Sequence, residues 1–197
     1  MKLEAKVNFD RFEEALQVVD AHTAGEFCRM VIGGFPEPEG STMIEKKKWM
    51  EEKYDHVRTA LMLEPRGHHD MFGAFLCEPI HEEADLGVIF MDTGGYLNMC
   101  GHCTIGAVTV ALEAGLVECH EGESHVVLDA PAGIIRTTAN VENGKVTSEN
   151  RTLVYQLPKG VRPNQSLSGK ITGEINGKKY TDLGDYVIST DGKISIT

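Results

Sequence analysis

Four consecutive residues, Cys100-Gly101-His102-Cys103, gather two thiols and an imidazole where a loop gives way to a helix. Ile105, Val108, Ala111 and Leu112 keep helical spacing from Gly101 to about Ala114, and Gly115 stands where a helix-ending glycine belongs. A helix start leaves N–H groups without partners and carries partial positive charge, so a carboxylate docks there. The same field favours thiolate over thiol and draws the cysteine pKa from roughly 8.5 towards neutrality, where a general base works well. Cys100 is thereby placed to take the proton from the carbon next to a docked carboxylate, with the developing charge met by the same N–H groups.

Other chemistries compete for these residues. Cys-x-x-Cys at a helix start is also a redox pattern, with Cys103 as the disulfide partner of a low-pKa Cys100. Against it, Met99 precedes the motif where disulfide isomerases carry Trp, and the upstream segments do not resemble a thioredoxin fold. A zinc site would need further ligands from His68, His69, His81, His102 or Cys119, none of which forms a second pair at zinc spacing, so no metal is expected. Taken alone, Cys100 would read as a packing cysteine, as Cys28, Cys77 and Cys119 do. His22 and Glu26 sit in a turn, where local hydrogen bonding explains them as well as ligand contact does. Arg66, His68, His69 and Asp70 form a polar cluster that either pairs on the surface or borders a site. Gly94 and Gly95 are read as permitting a tight path before the cysteine loop.

These residues need elements to hold them. Leu16–Asp20 and Cys28–Ile32 read as strands of a hairpin around the turn Ala21–Glu26. Thr42 with Glu45 is a capping-box pattern, and Met50, Tyr54, Val57 and Leu61 share one face of a single helix from about Met43 to about Leu63, closed by Pro65. Gly73–Cys77 and Gly87–Met91 are short apolar runs, as strands buried on both faces require. His125–Leu128 and Gly133–Val141 are further strands, with Asn143-Gly144 a hairpin turn before Lys145–Thr147. Beyond about Ser148 the character changes: Pro158–Asn164 reads as a linker, followed by polar strands around the turns Asn176-Gly177 and Asp191-Gly192.

Composition sets the outer limits. The 197 residues are 41% hydrophobic, enough for a packed core, and the net charge of -11 argues against a nucleic-acid partner. Lys46-Lys47-Lys48, the densest basic run, is read as the solvated face of its helix. No apolar run approaches a membrane span, Met1–Lys6 lacks the apolar core of a signal peptide, and five irregularly spaced cysteines suit a reduced, cytoplasmic protein.

Several blocks in order, Asp20–Glu26, Met62–His68, Asp70–Gly73, Met91–His102 and Asp129–Gly133, resemble the proline racemase and hydroxyproline epimerase family. The likeness runs from about Val18 to about Val146. It implies an α+β fold, a diaminopimelate epimerase-like lobe whose mixed, mostly antiparallel sheet wraps a central helix that starts at the cysteine motif. Residues 1–150 would be that first lobe and 151–197 a divergent β-rich tail that completes the lobe or stands in for a second one. By the same resemblance the enzyme is a cofactor-independent, metal-free isomerase acting on proline or hydroxyproline. Cys100 is then the first-lobe acid/base, Gly101 and His102 hold the substrate carboxylate, and Phe72 lies near the bound ring.

Cys103 departs from the family, which has a small residue there. The family's second cysteine segment, of Asp-Arg-Ser-Pro-Cys-Gly-Thr-Gly type, is not found between Ser148 and Thr197, so an incomplete enzyme is expected from this chain alone. A homodimer with facing Cys100 helices would supply two thiols. Three other readings stand beside the isomerase: a trans-3-hydroxyproline dehydratase-like relative, a thiol-disulfide protein using Cys100 and Cys103, and a carboxylate-binding domain without chemistry.

Overall fold

The computed structural model describes residue 8, residues 11–147, and the backbone of four strands beyond them, β9 (Thr152–Gln156), β10 (Leu167–Ile175), β11 (Lys178–Ile188) and β12 (Lys193–Ile196). The expected linker Pro158–Asn164 and the turns Asn176-Gly177 and Asp191-Gly192 lie outside the described residues.

The chain enters through β1 (Gln17–Thr23) and β2 (Glu26–Gly33), paired antiparallel with Thr23 opposite Glu26. The hairpin therefore turns on Ala24-Gly25 alone, both at positive φ (+50° and +95°), the conformation that suits a two-residue hairpin loop. The six-residue turn expected from sequence is shorter because Ala21, His22 and Thr23 continue the ladder.

Two helices follow where one was expected, α1 (Met43–Lys53) and α2 (Asp55–Met62). Tyr54 leaves the helical region at φ −131° and ψ 12°, buries its ring against Trp49, and lets Asp55 open a new first turn paired with Arg58. Thr42 caps α1 by accepting from the Glu45 N–H at 3.2 Å. The return bond of the capping box lands one residue early, with the Glu45 carboxylate accepting from the N–H (2.7 Å) and hydroxyl (2.6 Å) of Ser41. The solvated reading of the basic run fails for Lys46, which is 4% exposed, paired with Glu37 and donating to the Glu78 carbonyl at 2.8 Å. A buried ammonium survives only with such partners. Lys48 remains exposed beside Glu52.

β3 (Phe72–Cys77) and β4 (Leu86–Asp92) run antiparallel in the middle of the sheet. Period-2 alternation sends Ala74, Leu76, Val88 and Phe90 to one face and Phe75, Cys77, Ile89 and Met91 to the other, so both strands are apolar throughout. The second face packs on α1 and α2 through Met50, Val57, Leu61 and Met62. The first packs on α3 (Gly101–Glu113) through Cys103, Ala107, Val110 and their neighbours. At the far end of α3, Gly115 at φ +73° lets Leu116 N–H reach back to the Ala111 carbonyl at 2.8 Å.

β6 (Gly122–Ala130) pairs parallel with β4, as β2 does with β3, and the remaining pairings are antiparallel. With β7 (Gly133–Glu142), the order is β1-β2-β3-β4-β6-β7-β9-β12-β11-β10, while β5 (Tyr96–Leu97) joins β4 and β8 (Lys145–Val146) joins β7. The turn Asn143-Gly144 has φ of +55° and +71°, as its residue types predict. The expected mixed, mostly antiparallel sheet is therefore present, with α3 against one face. Among the described residues no helix is long and apolar enough to cross a membrane.

Contact between α3 and β2 is tightest at Gly106, where an added Cβ would stand 2.5 Å from the Cys28 sulfur and 3.3 Å from the Met30 methyl. Gly106→Ala is expected to cost about 1–3 kcal/mol through this overpacking, read as a lower urea midpoint. Adding Cys28→Ala should recover most of the loss. An unchanged midpoint in the single variant would contradict the packing described.

Candidate active site

Cys100 is the residue preceding α3, with extended backbone (φ −146°, ψ 113°) and 8% exposure. The first helical bond runs from Thr104 N–H to the Cys100 carbonyl at 3.0 Å, and the Thr104 hydroxyl donates to the same oxygen at 2.7 Å. The N–H groups of Gly101 and His102 precede that bond and have no acceptor within the helix. The sulfur thus stands beside a pair of backbone donors.

His102 bridges the thiols. Its Nδ1 is 3.4 Å from the Cys100 sulfur and its Nε2 is 3.5 Å from the Cys103 sulfur. The Cys100 pKa falls to about 5, first because the Cys103 thiol donates a hydrogen bond to it, then through His102 and the Cys103 N–H, against the opposing effect of burial. His102 is raised, chiefly by its hydrogen bond to Cys100. Thiolate and imidazolium therefore stabilise each other above a pH of about 5 and until the raised imidazole titrates. Cys103 is pushed far up, with its bonds to Cys100 and Cys28 as the leading causes, so it keeps its proton. Cys28 is lowered, first by that same Cys103 thiol. One S–H serves one acceptor at a time, so Cys100 and Cys28 compete for it.

Neighbouring elements hold the helix start. The Thr23 hydroxyl donates to the His102 carbonyl at 2.9 Å, tying the β1–β2 turn to the motif. Phe72 meets the His102 ring edge to face, with centroids 4.7 Å apart. Arg58, 7% exposed, is gripped bidentately by Asp55 (2.5 and 3.1 Å) and donates to the carbonyls of Asp92 (2.9 Å) and Thr93 (3.1 Å), which fixes the loop leading to Cys100. Asn98, two residues before the cysteine, accepts from Lys47 at 2.9 Å and from the Ala132 N–H at 3.1 Å.

The structure thus brings Cys100, Gly101, His102, Cys103 and Phe72 together. Gly94 and Gly95 have a different role from the one expected. Neither adopts positive φ, and the loop is shaped instead by Asp92, whose carboxylate accepts from their N–H groups at 2.7 and 2.8 Å. His22 accepts from the Gly25 N–H at 3.3 Å, the local turn bond. Arg66 lines a separate cleft with Glu14, Leu16 and His56, while His69 and Asp70 pair at the surface at 3.0 Å.

Sequence reasoning passed over Cys28, Thr23 and Arg58. Cys28 lies opposite Ala21 in the hairpin and shares its inward face with Met30, and that alternation was the available signal. Donor atoms of Cys28, His102 and Cys103 lie within 4.8 Å of one another. Two thiols and one imidazole are one ligand short of a closed zinc site. The cluster is suited to thiol chemistry.

Comparison with known proteins places the chain in a family. The proline racemase family model matches residues 18–173. Proline racemase of Clostridioides difficile is 56% identical over 135 residues, 68% of this chain and 40% of that protein. The 4-hydroxyproline 2-epimerase of Streptosporangium roseum is 42% identical over 165 residues, 84% of this chain and 49% of that protein. The crystal structure of an Agrobacterium vitis hydroxyproline epimerase with bound trans-4-hydroxy-L-proline superposes at a TM-score of 0.67 with 23% identity, covering 89% of this chain and 49% of that one. The chain belongs to the proline racemase family. It spans half or less of the length of these relatives.

The rate at which iodoacetamide alkylates Cys100, followed by peptide mapping, should inflect near pH 5, where the thiolate forms. Because a lowered thiol pKa means the charged form is lost only as pH falls through that value, reactivity should stay flat from there to neutrality. Cys103→Ala removes the donated bond and should move the inflection upward. An inflection at roughly 8.5 in the unaltered chain would show an ordinary thiol and sink the electrostatic account.

Proposed function

We propose that this chain is the first lobe of a cofactor-independent proline racemase or 4-hydroxyproline epimerase, with Cys100 as the acid/base on one face of the substrate's α-carbon. The observation that carries the reading is the Cys100 sulfur at the start of α3, held as thiolate beside the unpaired Gly101 and His102 N–H groups. In this mechanism those two groups dock the carboxylate, and the thiolate removes the α-proton. The carbanion's charge flows into the docked carboxylate, which the same donors stabilise as it grows. His102 stays charged beside the thiolate and limits the cost of burying it. Phe72 packs against the imidazole and, in this reading, borders the substrate ring.

A two-lobed, diaminopimelate epimerase-like parent is supported by the sheet: β9 pairs with β7 and β12 with β9, so strands β9 to β12 extend the first lobe's sheet. The second thiol then belongs to another lobe or to a facing second copy. All five cysteines are free thiols, which supports a reducing, cytoplasmic setting.

The test is 1H NMR of L-proline and of 4-hydroxyproline in deuterated water, together with optical rotation. Inversion is expected when the chain is joined to a second lobe bearing its own cysteine, and Cys100→Ala should lower that rate by at least about 10³-fold, as loss of a catalytic base does. Failure of the joined protein to invert either substrate would overturn the assignment. Inversion by the chain alone, together with dimer formation in sedimentation, would place the second thiol on a second copy.

A further inference from the structure

Proton transfer at the α-carbon uses one sulfur, yet three converge at the start of α3. Cys103 shares the His102 ring with Cys100, its sulfur 3.5 Å from Nε2, and its thiol proton is available to either Cys100 or Cys28. The sulfurs of Cys28 and Cys103 and the His102 ring lie within 4.8 Å of one another, and the second nitrogen of that ring is 3.4 Å from Cys100. Gly106, one turn beyond Cys103, has no side chain where a Cβ would stand 2.5 Å from the Cys28 sulfur, so that sulfur rests against the helix backbone. Cys28 and Cys103 are fully buried, and Cys100 keeps 8% exposure.

We propose that Cys100, Cys103 and Cys28 form a peroxide-responsive thiol relay, in which oxidation received by Cys100 passes through Cys103 and comes to rest as a Cys28–Cys103 disulfide, leaving Cys100 free. The proposal rests on the reading of Cys100 as the working thiolate.

In the first step the Cys100 thiolate attacks hydrogen peroxide: an S–O bond forms, the O–O bond breaks, and the departing hydroxide takes a proton to give water. The Cys103 thiol then attacks the sulfenic sulfur, forming Cys100–Cys103 and releasing the hydroxyl with the thiol proton as a second water. At this stage His102 has lost its thiolate partner and is available as a base. It takes the Cys28 proton as Cys28 attacks the Cys103 sulfur, the S–S bond to Cys100 breaks, and Cys100 leaves as thiolate. In total two thiols are oxidised and one peroxide is reduced to two waters. Direction comes from the leaving group: exchange expels the sulfur best stabilised as thiolate, and Cys100 has the helix start and His102 to stabilise it. Attack falls on Cys103 because that is the sulfur Cys28 faces.

A second thiol at position 103 alone would leave the enzyme blocked as Cys100–Cys103. Cys28 converts that blocked state into one with the base restored, while Cys103, by condensing with the sulfenic acid, keeps a second peroxide from driving Cys100 to sulfinic acid.

The experiment treats the full chain with one equivalent of hydrogen peroxide, quenches with N-ethylmaleimide and maps the peptides by mass spectrometry. The expected product is two hydrogens lighter before labelling, carries a Cys28–Cys103 crosslink, and has Cys100 labelled. Cys28→Ser should stop at Cys100–Cys103, and Cys103→Ser should accumulate Cys100 sulfinic acid. A crosslink between Cys100 and Cys103 as the final state of the unaltered chain overturns the relay. So does Cys100 sulfinic acid forming as fast as in Cys103→Ser, or a chain in which Cys28, Cys100 and Cys103 all remain reduced. Since the unaltered chain carries the decisive result, poor folding of a variant does not excuse it. The readout contains no proline, so inversion by the joined protein without the crosslink would refute the relay alone, and the crosslink without that inversion would refute the isomerase reading alone.

Discussion

A thiolate at 8% exposure persists only if the protein supplies the hydration it has lost. The supply at Cys100 is specific: one thiol proton from Cys103, one imidazole, and the field of a helix start. Each of these is a matter of position, and a shift of an ångström in the first turn of α3 would misplace all of them together. Much of the surrounding structure is explained by that demand. The Thr23 hydroxyl holds the His102 carbonyl, Phe72 braces the imidazole, and Arg58, held by its ion pair with Asp55, fixes the two carbonyls ahead of the loop. Arg58 acts on the chemistry only through this loop, so it is a positioning residue. Its own burial is tolerable because Asp55 and two carbonyl oxygens satisfy it and the Tyr96 ring lies 5.8 Å away.

The sheet contributes by being covered on both faces. β3 and β4 send alternate residues to two helical layers, so neither strand can twist or slip by one residue without exchanging its two cores. That rigidity is what permits a precise helix start on one face. α3 seats its small residues, Gly106 and Ala107 among them, directly on the strands, and the close approach brings the Cys28 sulfur of β2 within reach of Cys103. The same packing that places Cys100 therefore also places the thiols around it.

Much of this was legible in the residues. The helix from Gly101 to its Gly115 end, the doubly buried central strands and the Asn143-Gly144 turn follow from local rules, since spacing, apolar runs and left-handed turn residues carry their meaning within a few positions. Cys100 was legible for the same reason, being tied to a helix start readable in its own segment. What escaped was non-local. Lys46 looks solvated in a Lys-Lys-Lys run until Glu37 and the Glu78 carbonyl arrive from elsewhere in the chain. The break at Tyr54 interrupts a stripe, Met50–Tyr54–Val57–Leu61, that periodicity alone continues without pause. Cys28 is separated by more than seventy residues from the helix it touches, and no spacing rule links two positions whose meeting depends on the pairing of β2 with β3.

Stereochemistry sets what a single lobe can achieve. A thiolate on one face of an α-carbon can remove a proton and, as the thiol, return one, but it returns it to the face from which it came. Such an event exchanges hydrogen with solvent and regenerates the original enantiomer. Inversion requires a donor on the opposite face at the moment the carbanion exists, and Cys103 belongs to the same helix start as Cys100, so the two thiols approach from one side. Exchange and inversion are thus separable: on the proposed reading the first needs one thiolate at a helix start, and the second a donor on the other face of the carbon.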